Sequence, residues 1–193
     1  MNINRHTRCR RSTRLRDFDY AQAGAYFVTI CTRERVCLFG EVVGEVMRLN
    51  DAGKVVKACW LAVSTHFPDV DLDAFVVMPN HLQGIVVITD RVVGAKNVSP
   101  LRDNVDTRRR PIQSPSKTIG SIVRGFKNGV TKWFRENEHA GNVWQRNYYE
   151  HVIRNDESLS RIRQYIHENP MRWAFDRENP GAVISESDEE RLM

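Results

Sequence analysis

Ala25 to Thr32 (AYFVTICT) is an unbroken run of apolar and β-branched residues, which predicts a strand. Val36 to Phe39 follows as a short second segment, with Arg33 and Glu34 between them as a turn or bulge. The period then changes. Val55, Val56, Cys59, Trp60 and Val63 recur at steps of three and four, so a helix with one apolar face reaches about Phe67, capped by Asn50 or Asp51. Asp71 to Met78 and His81 to Thr89 are rich in Val, Ile and Phe. Only Pro79 and Asn80 separate them, which predicts a tight antiparallel turn. Ser116 to Asn137 reads as a long basic helix whose buried stripe is Ile119, Ile122, Val123, Phe126, Val130, Trp133 and Phe134. Val143 to Ile153 is expected to be extended. Asp156 then caps a last helix through Glu168, which Pro170 ends.

The order strand, helix, strand, strand, helix, strand, helix predicts an α+β domain of ferredoxin-like type. It is a split β-α-β arrangement, an antiparallel sheet with helices packed on one face. At 193 residues the chain has material for one well-buried domain, placed at 21–175. A basic N-terminal arm occupies 1–20, a loop is inserted at 91–117, and an acidic tail covers 176–193. The loop contains Pro100, Pro111 and Pro115 with seven basic residues against two acids, and loops of this length are usually functional or disordered.

Charge narrows the function. The net is +5, but the stretch from Asp176 onward carries −4, which leaves +9 on the first 175 residues. Six arginines and no acid lie in the first sixteen. A basic body of this kind suits a polyanionic partner, since each Lys or Arg that meets a phosphate releases condensed counterions; the plainer reading is a solvated surface. The longest strongly apolar stretch, Phe75 to Met78, is far short of a membrane span, and no apolar segment follows the basic N-terminus. The expected compartment is the cytoplasm, with no membrane partner. Cys9, Cys31, Cys37 and Cys59 contain no C-x-x-C pair, so a zinc knuckle is not expected. Cys31, Cys37 and Cys59 read as small buried hydrophobes.

Two segments carry candidate chemistry. In Val77-Met78-Pro79-Asn80-His81-Leu82-Gln83-Gly84, a strand starting at His81 points His81 and Gln83 to one face. Two polar side chains on an apolar strand need partners. A divalent metal taking the imidazole nitrogen and the amide oxygen is one; a turn carbonyl for His81 and solvent for Gln83 is the other. In Gln164-Tyr165-Ile166-His167-Glu168-Asn169-Pro170, Tyr165 and Asn169 are four apart and share a helix face. A tyrosine beside a metal ligand is a sensible nucleophile for a phosphodiester, whereas the structural reading makes Tyr165 a core edge and Asn169 a helix end. Asp69, Asp71 and Asp73 alternate as one strand face could, either as a carboxylate nuclease or as an exposed strand entry.

Taken in order, the strands meeting at MPNH, the helix SIVRGFKNGVTKWF, the segment WQRNYYEHVIR and the helix end YIHENP resemble the single-tyrosine HUH transposases. Within these they resemble the REP-associated tyrosine transposases of bacteria. The resemblance runs from about Ala25 to Trp173. It implies a ferredoxin-like domain that cleaves and rejoins single-stranded DNA near hairpins. A tyrosine becomes joined to a 5′-phosphate and a 3′-hydroxyl is freed, with Mg²⁺ or Mn²⁺ as the metal. By position, Tyr165 would be the nucleophile, and His81, Gln83 and Asn169 the metal ligands.

The family pattern is His, a hydrophobic residue, His; this chain has His81-Leu82-Gln83. An amide oxygen is a poorer donor than imidazole to Mn²⁺, though acceptable to Mg²⁺. The alternative is therefore a non-catalytic DNA-binding protein of the same fold. His151 and His167 are candidates to compensate, against a structural role for each. DNA contacts are expected from Arg5, Arg8, Arg10 and Arg11 in the arm, Arg108, Arg109 and Arg110 in the loop, and Arg124, Lys127 and Lys132 on a helix face near the site. Trp144, Tyr148 and Tyr149 are candidates for stacking on unpaired bases or for core packing. Monomer and dimer both remain open.

Overall fold

The computed structural model describes residues 22–89, 118–137 and 141–182. Along these run β1 (Gly24–Cys31), β2 (Gly40–Val43), β3 (Val46–Leu49), α1 (Asp51–Leu61), α2 (Val63–His66), β4 (Val70–Met78), β5 (His81–Ile88), α3 (Ile119–Glu136), β6 (Tyr149–Ile153) and α4 (Asp156–Glu168). The main sheet has the order β4-β5-β1-β6, and every neighbouring pair is antiparallel. This is the strand order of the split β-α-β, ferredoxin-like arrangement.

Both faces of β1 are buried, which is why its sequence shows no polar alternation. Tyr26, Val28 and Ile30 join Val56 and Trp60 of α1, Leu82 and Val86 of β5, and Ile122, Phe126 and Val130 of α3 in one core. Phe27 points the other way, into a smaller core with Ile85, Ile153 and Ile166. The crossover helices α1 and α3 therefore cover one face, as expected. The last helix departs from the expectation of helices on one face. Leu159, Ile162 and Ile166 of α4 form a stripe at helical spacing, and the apolar groups available to it lie on the reverse of the sheet.

Helix starts follow local chemistry. The Asn50 side chain accepts the Gly53 N–H at 2.9 Å, and the Asn155 side chain accepts the Ser158 N–H at 2.8 Å, so Asn155 rather than Asp156 is the cap of α4. The helix expected to reach Phe67 breaks at Ala62 into α1 and α2. The short hairpin β2–β3 had no expected counterpart. Its turn places Gly44 and Glu45 at positive φ, as a two-residue hairpin loop requires. Val36 to Phe39 is not a strand, and of Val143 to Ile153 only Tyr149–Ile153 pairs in the sheet, Trp144 making an isolated bridge to Thr32.

Cys31 is buried and Cys59 partly so, but Cys37 is exposed, contrary to expectation, because its segment turns outward between β1 and β2. Cys9 lies outside the described residues. So do the arm (1–20), the whole of the inserted loop (91–117) and residues 183–193. The boundary expected at Asp176 falls inside the packed fold, since Asp176 is largely covered and Glu178 is buried. Among the described residues no helix is long and apolar enough to cross a membrane.

Candidate functional site

Strand alternation puts Leu82, Gly84 and Val86 of β5 against the α1–α3 core, which leaves His81 and Gln83 on the side of α4. Their neighbours across β1 are Cys31 and Thr29. Both are buried, His81 completely and Gln83 to 3% exposure. A polar group so placed must find a partner in the fold, and the partner of Gln83 is α4. Gln83 donates through Nε2 to the Tyr165 hydroxyl at 3.3 Å, and its Oε1 accepts from Asn169 Nδ2 at 2.6 Å. Tyr165 and Asn169, one helical turn apart, thus converge on one glutamine. Asn169 is 2% exposed at the C-terminal end of α4, and the Tyr165 ring packs edge-on to Phe27 at 6.2 Å. Burial pushes the Tyr165 phenol above its ordinary value, against the opposing hydrogen bond from Gln83.

His81 is wired differently. Asn80 donates through Nδ2 to the Arg35 carbonyl at 3.0 Å and to the Glu178 carbonyl at 2.6 Å. Its Oδ1 therefore faces His81 Nδ1, 2.9 Å away. A carbonyl oxygen only accepts, so Nδ1 carries the proton and Nε2 presents its lone pair. Burial, aided by the charges of Arg177 and Arg35, holds the imidazole near pKa 3, in the neutral form. The Trp173 ring lies beside it, centroids 6.1 Å apart. Asp176 Oδ2 stands 3.8 Å from Nε2. Burial raises the Asp176 carboxyl above the usual range. Glu178 secures the same segment by an ion pair to Arg35 at 2.7 Å and by accepting from Cys31 Sγ at 3.5 Å. Burial first, and then Glu178, pushes the Cys31 thiol up to about 12, so this cysteine stays protonated.

Sequence reasoning singled out His81, Gln83, Tyr165 and Asn169, and the fold brings the last three into one hydrogen-bonded chain beside the first. It missed Asn80, Trp173, Asp176 and Glu178. Asn80 was legible only as a turn residue, and the two acids only as charges in a tail.

The fold gives the expected DNA contacts varied surroundings. Arg124 is exposed on α3, and Lys132, also exposed, lies 3.9 Å from Glu136. Lys127 is half-buried and donates to the Gln145 and Asn147 carbonyls at 2.8 and 3.2 Å, so its ammonium holds the chain leading into β6; burial lowers it to about pKa 8. The helix bearing all three packs on the sheet face opposite α4, which corrects the expectation that this basic face lies near the tyrosine. Arg5, Arg8, Arg10, Arg11, Arg108, Arg109 and Arg110 lie outside the described residues. Trp144 is core, packed on Phe39 and Phe126 with its indole N–H on the Lys127 carbonyl. Tyr148 packs against the same core, whereas Tyr149 is 40% exposed beside Phe27 on the tyrosine side. His151 and His167 are exposed, and no hydrogen bond among the described residues joins either to His81 or Gln83. Asp69, Asp71 and Asp73 do not act together: Asp69 is buried, Asp71 exposed, and Asp73 binds Arg163.

No group of three or more His, Cys, Asp or Glu side chains converges among the described residues. A cation at this site would therefore rest on one imidazole together with amide and carboxylate oxygens. The donors fit that description. His81 Nε2 is buried, unprotonated and without a hydrogen-bond partner among the described residues. The Gln83 oxygen keeps a second lone pair beyond the one Asn169 uses.

No protein-family model matches the chain. A Haemophilus influenzae protein described only as uncharacterised is 48% identical over 168 residues, covering 87% of this chain and 92% of that protein. A candidate REP-associated tyrosine transposase of the same organism is 22% identical over 158 residues, covering 81% of this chain and 76% of the relative. Among solved structures, a REP-associated tyrosine transposase bound to a REP hairpin superposes with a TM-score of 0.56 at 20% identity. That match covers 86% of this chain and 77% of the other, a likeness of fold.

Proposed function

We infer, from its likeness to a candidate REP-associated tyrosine transposase and the fold shared with a solved one, that the chain is of that family, binds hairpin or single-stranded DNA, and cuts and rejoins it through Tyr165. The observation that carries this reading is the chain Asn169–Gln83–Tyr165, which sets a half-buried phenol oxygen against an amide donor beside an available imidazole. The phenol is neutral at rest. As its oxygen attacks phosphorus it loses its proton, and the Gln83 N–H is already aimed at the oxygen that becomes negative. A P–Oη bond forms to the 5′-phosphate as the bond to the leaving 3′-oxygen breaks; the phenol proton passes to solvent, and the leaving oxygen takes up a proton from solvent to become the 3′-hydroxyl. Rejoining reverses the step.

The metal belongs to this proposal. His81 Nε2 and the side-chain oxygens of Gln83 and Asn169 would hold Mg²⁺ or Mn²⁺, which when bound would polarise the phosphate. The chain's own groups hold the phenol, exclude water from His81 and fix its tautomer through Asn80. The exposed ring of Tyr149, on the same side of the sheet, is a surface on which an unpaired base could stack.

The test is a labelled single-stranded hairpin library incubated with Mg²⁺ or Mn²⁺ and resolved on a denaturing gel. A protein–DNA adduct in wild type that is absent in Tyr165→Phe is the expected result. Wild type that binds hairpins but forms no adduct is instead a DNA-binding protein without turnover. Gln83, standing where the family carries its second histidine, favours that second reading.

A further inference from the structure

Asp176 lies outside every motif that pointed to Tyr165, His81, Gln83 and Asn169. Its side chain is nevertheless buried at the site. Its Oδ1 accepts the Glu178 N–H at 2.8 Å, which fixes the carboxylate on its own backbone. Its Oδ2 is buried, has no hydrogen-bond partner among the described residues, and is 3.8 Å from His81 Nε2. That nitrogen is in the same condition. Asn80 holds the only proton on Nδ1, so Nε2 offers a lone pair to an oxygen that, as an ionised carboxylate, also offers only lone pairs.

Two acceptors facing each other, with side chains 0% and 6% exposed, are an unfavourable pair unless something positive stands between them. Nothing among the described residues supplies a donor. The surrounding bonds hold the arrangement in place: Asn80 ties His81 to the Glu178 carbonyl, and Arg35 holds the Glu178 carboxylate at 2.7 Å. Metal–donor bonds of about 2.0–2.2 Å bring two ligands to roughly 3–4 Å from each other, the spacing seen here.

We propose that Asp176 is a ligand of the divalent cation together with His81 Nε2, and that its anionic oxygen makes up for the imidazole this chain lacks at Gln83. The inference rests on the reading that the site holds a metal, and it adds a residue from the segment after α4. Hard cations of the Mg²⁺ and Mn²⁺ class take carboxylate oxygen readily, so one aspartate offsets the exchange of an imidazole for an amide. The acid at 176 is then part of the site rather than the start of a solvated tail.

The experiment is a Mn²⁺ titration of the full chain without DNA, followed by calorimetry and by the Mn²⁺ electron paramagnetic resonance signal, for wild type and Asp176→Asn. The wild type is expected to bind one ion, and Asp176→Asn to bind it at least tenfold more weakly. Metal-free melting separates this from a folding defect. Asparagine keeps the acceptor for the Glu178 N–H and can place an N–H toward His81 Nε2, so the variant should melt no lower than wild type. A second variant, Asp176→Glu, keeps the charge and should retain more affinity than Asp176→Asn. Equal Mn²⁺ affinity in wild type and Asp176→Asn overturns the proposal, as does a wild type that binds no Mn²⁺. An imidazolium ¹⁵N signal from His81 at neutral pH in the metal-free protein also overturns it, since a proton then fills the gap. The adduct assay with Tyr165→Phe separates these failures from failure of the DNA-cutting reading: an adduct with an unchanged Asp176→Asn titration removes Asp176 and leaves Tyr165 standing.

Discussion

Gln83 on the second strand of the hairpin accepts a 2.6 Å hydrogen bond from Asn169, 86 residues further along the chain. The same side chain donates to Tyr165, so a single amide orients both members of the α4 pair. Gln83→Ala should leave the buried Asn169 N–H without an acceptor. The expected loss is about 1–3 kcal/mol, together with a further loss for the vacated volume. Urea denaturation monitored by circular dichroism measures it, and a variant as stable as wild type would show that the chain of bonds contributes little.

Gln83→His places on this strand face the pair of histidines that the resemblance implies. An imidazole is a better Mn²⁺ donor than an amide oxygen, so Mn²⁺ should bind several-fold more tightly than in wild type. If wild type binds hairpin DNA without forming an adduct, the same variant is the one in which an adduct should appear.

Gly84 follows Gln83 and faces the other core. A Cβ there would stand 2.7 Å from Trp60 Cζ2 and 3.0 Å from Phe75 Cβ, and Trp60 is fully buried. Gly84→Ala must therefore displace a packed ring, at an expected cost of about 1–3 kcal/mol. The loss should appear in the melting temperature of the metal-free protein.

Lys127 and Lys132 share a helix and differ in what they do. Lys127→Ala leaves the Gln145 and Asn147 carbonyls without their donor, so it should lower stability by about 1–2 kcal/mol. Lys132→Ala should change stability by less than about 0.5 kcal/mol, because its pair with Glu136 is exposed. Thermal melts of the two variants side by side decide whether Lys127 is a structural strut.

The Arg163 hydrogen bond holds the Asp73 carboxyl below the usual carboxylate range. A group whose pKa is lowered by folding contributes stability above its unfolded value near 3.8 and loses it as pH falls through the lowered one. Asp73→Asn should therefore melt about 1–3 °C below wild type at pH 7, with the difference closing as the pH is taken down toward 2. A gap that persists at low pH would assign the effect to packing.

The chain's own periodicities determined a great deal. Steps of two set His81 and Gln83 on one face of a strand, steps of four set Tyr165 and Asn169 on one face of a helix, and the order of elements implied the antiparallel sheet. These relations hold between near neighbours, and backbone geometry alone enforces them. Which face meets which is a different matter. That α4 crosses to the reverse of the sheet follows from where Phe27, Ile85 and Val87 leave apolar surface uncovered. Lys127 looked like a phosphate contact because a helix pattern shows that a lysine is exposed to its own helix, not that two carbonyls 18 and 20 residues away will claim it. Glu178 meets Asn80 across 98 residues and Cys31 across 147, and Asp176 arrives beside His81 with it. No local pattern encodes those meetings. They exist because the segment after α4 satisfies buried donors at the end of β1 and in the turn before β5, a condition that arises only once the sheet has formed.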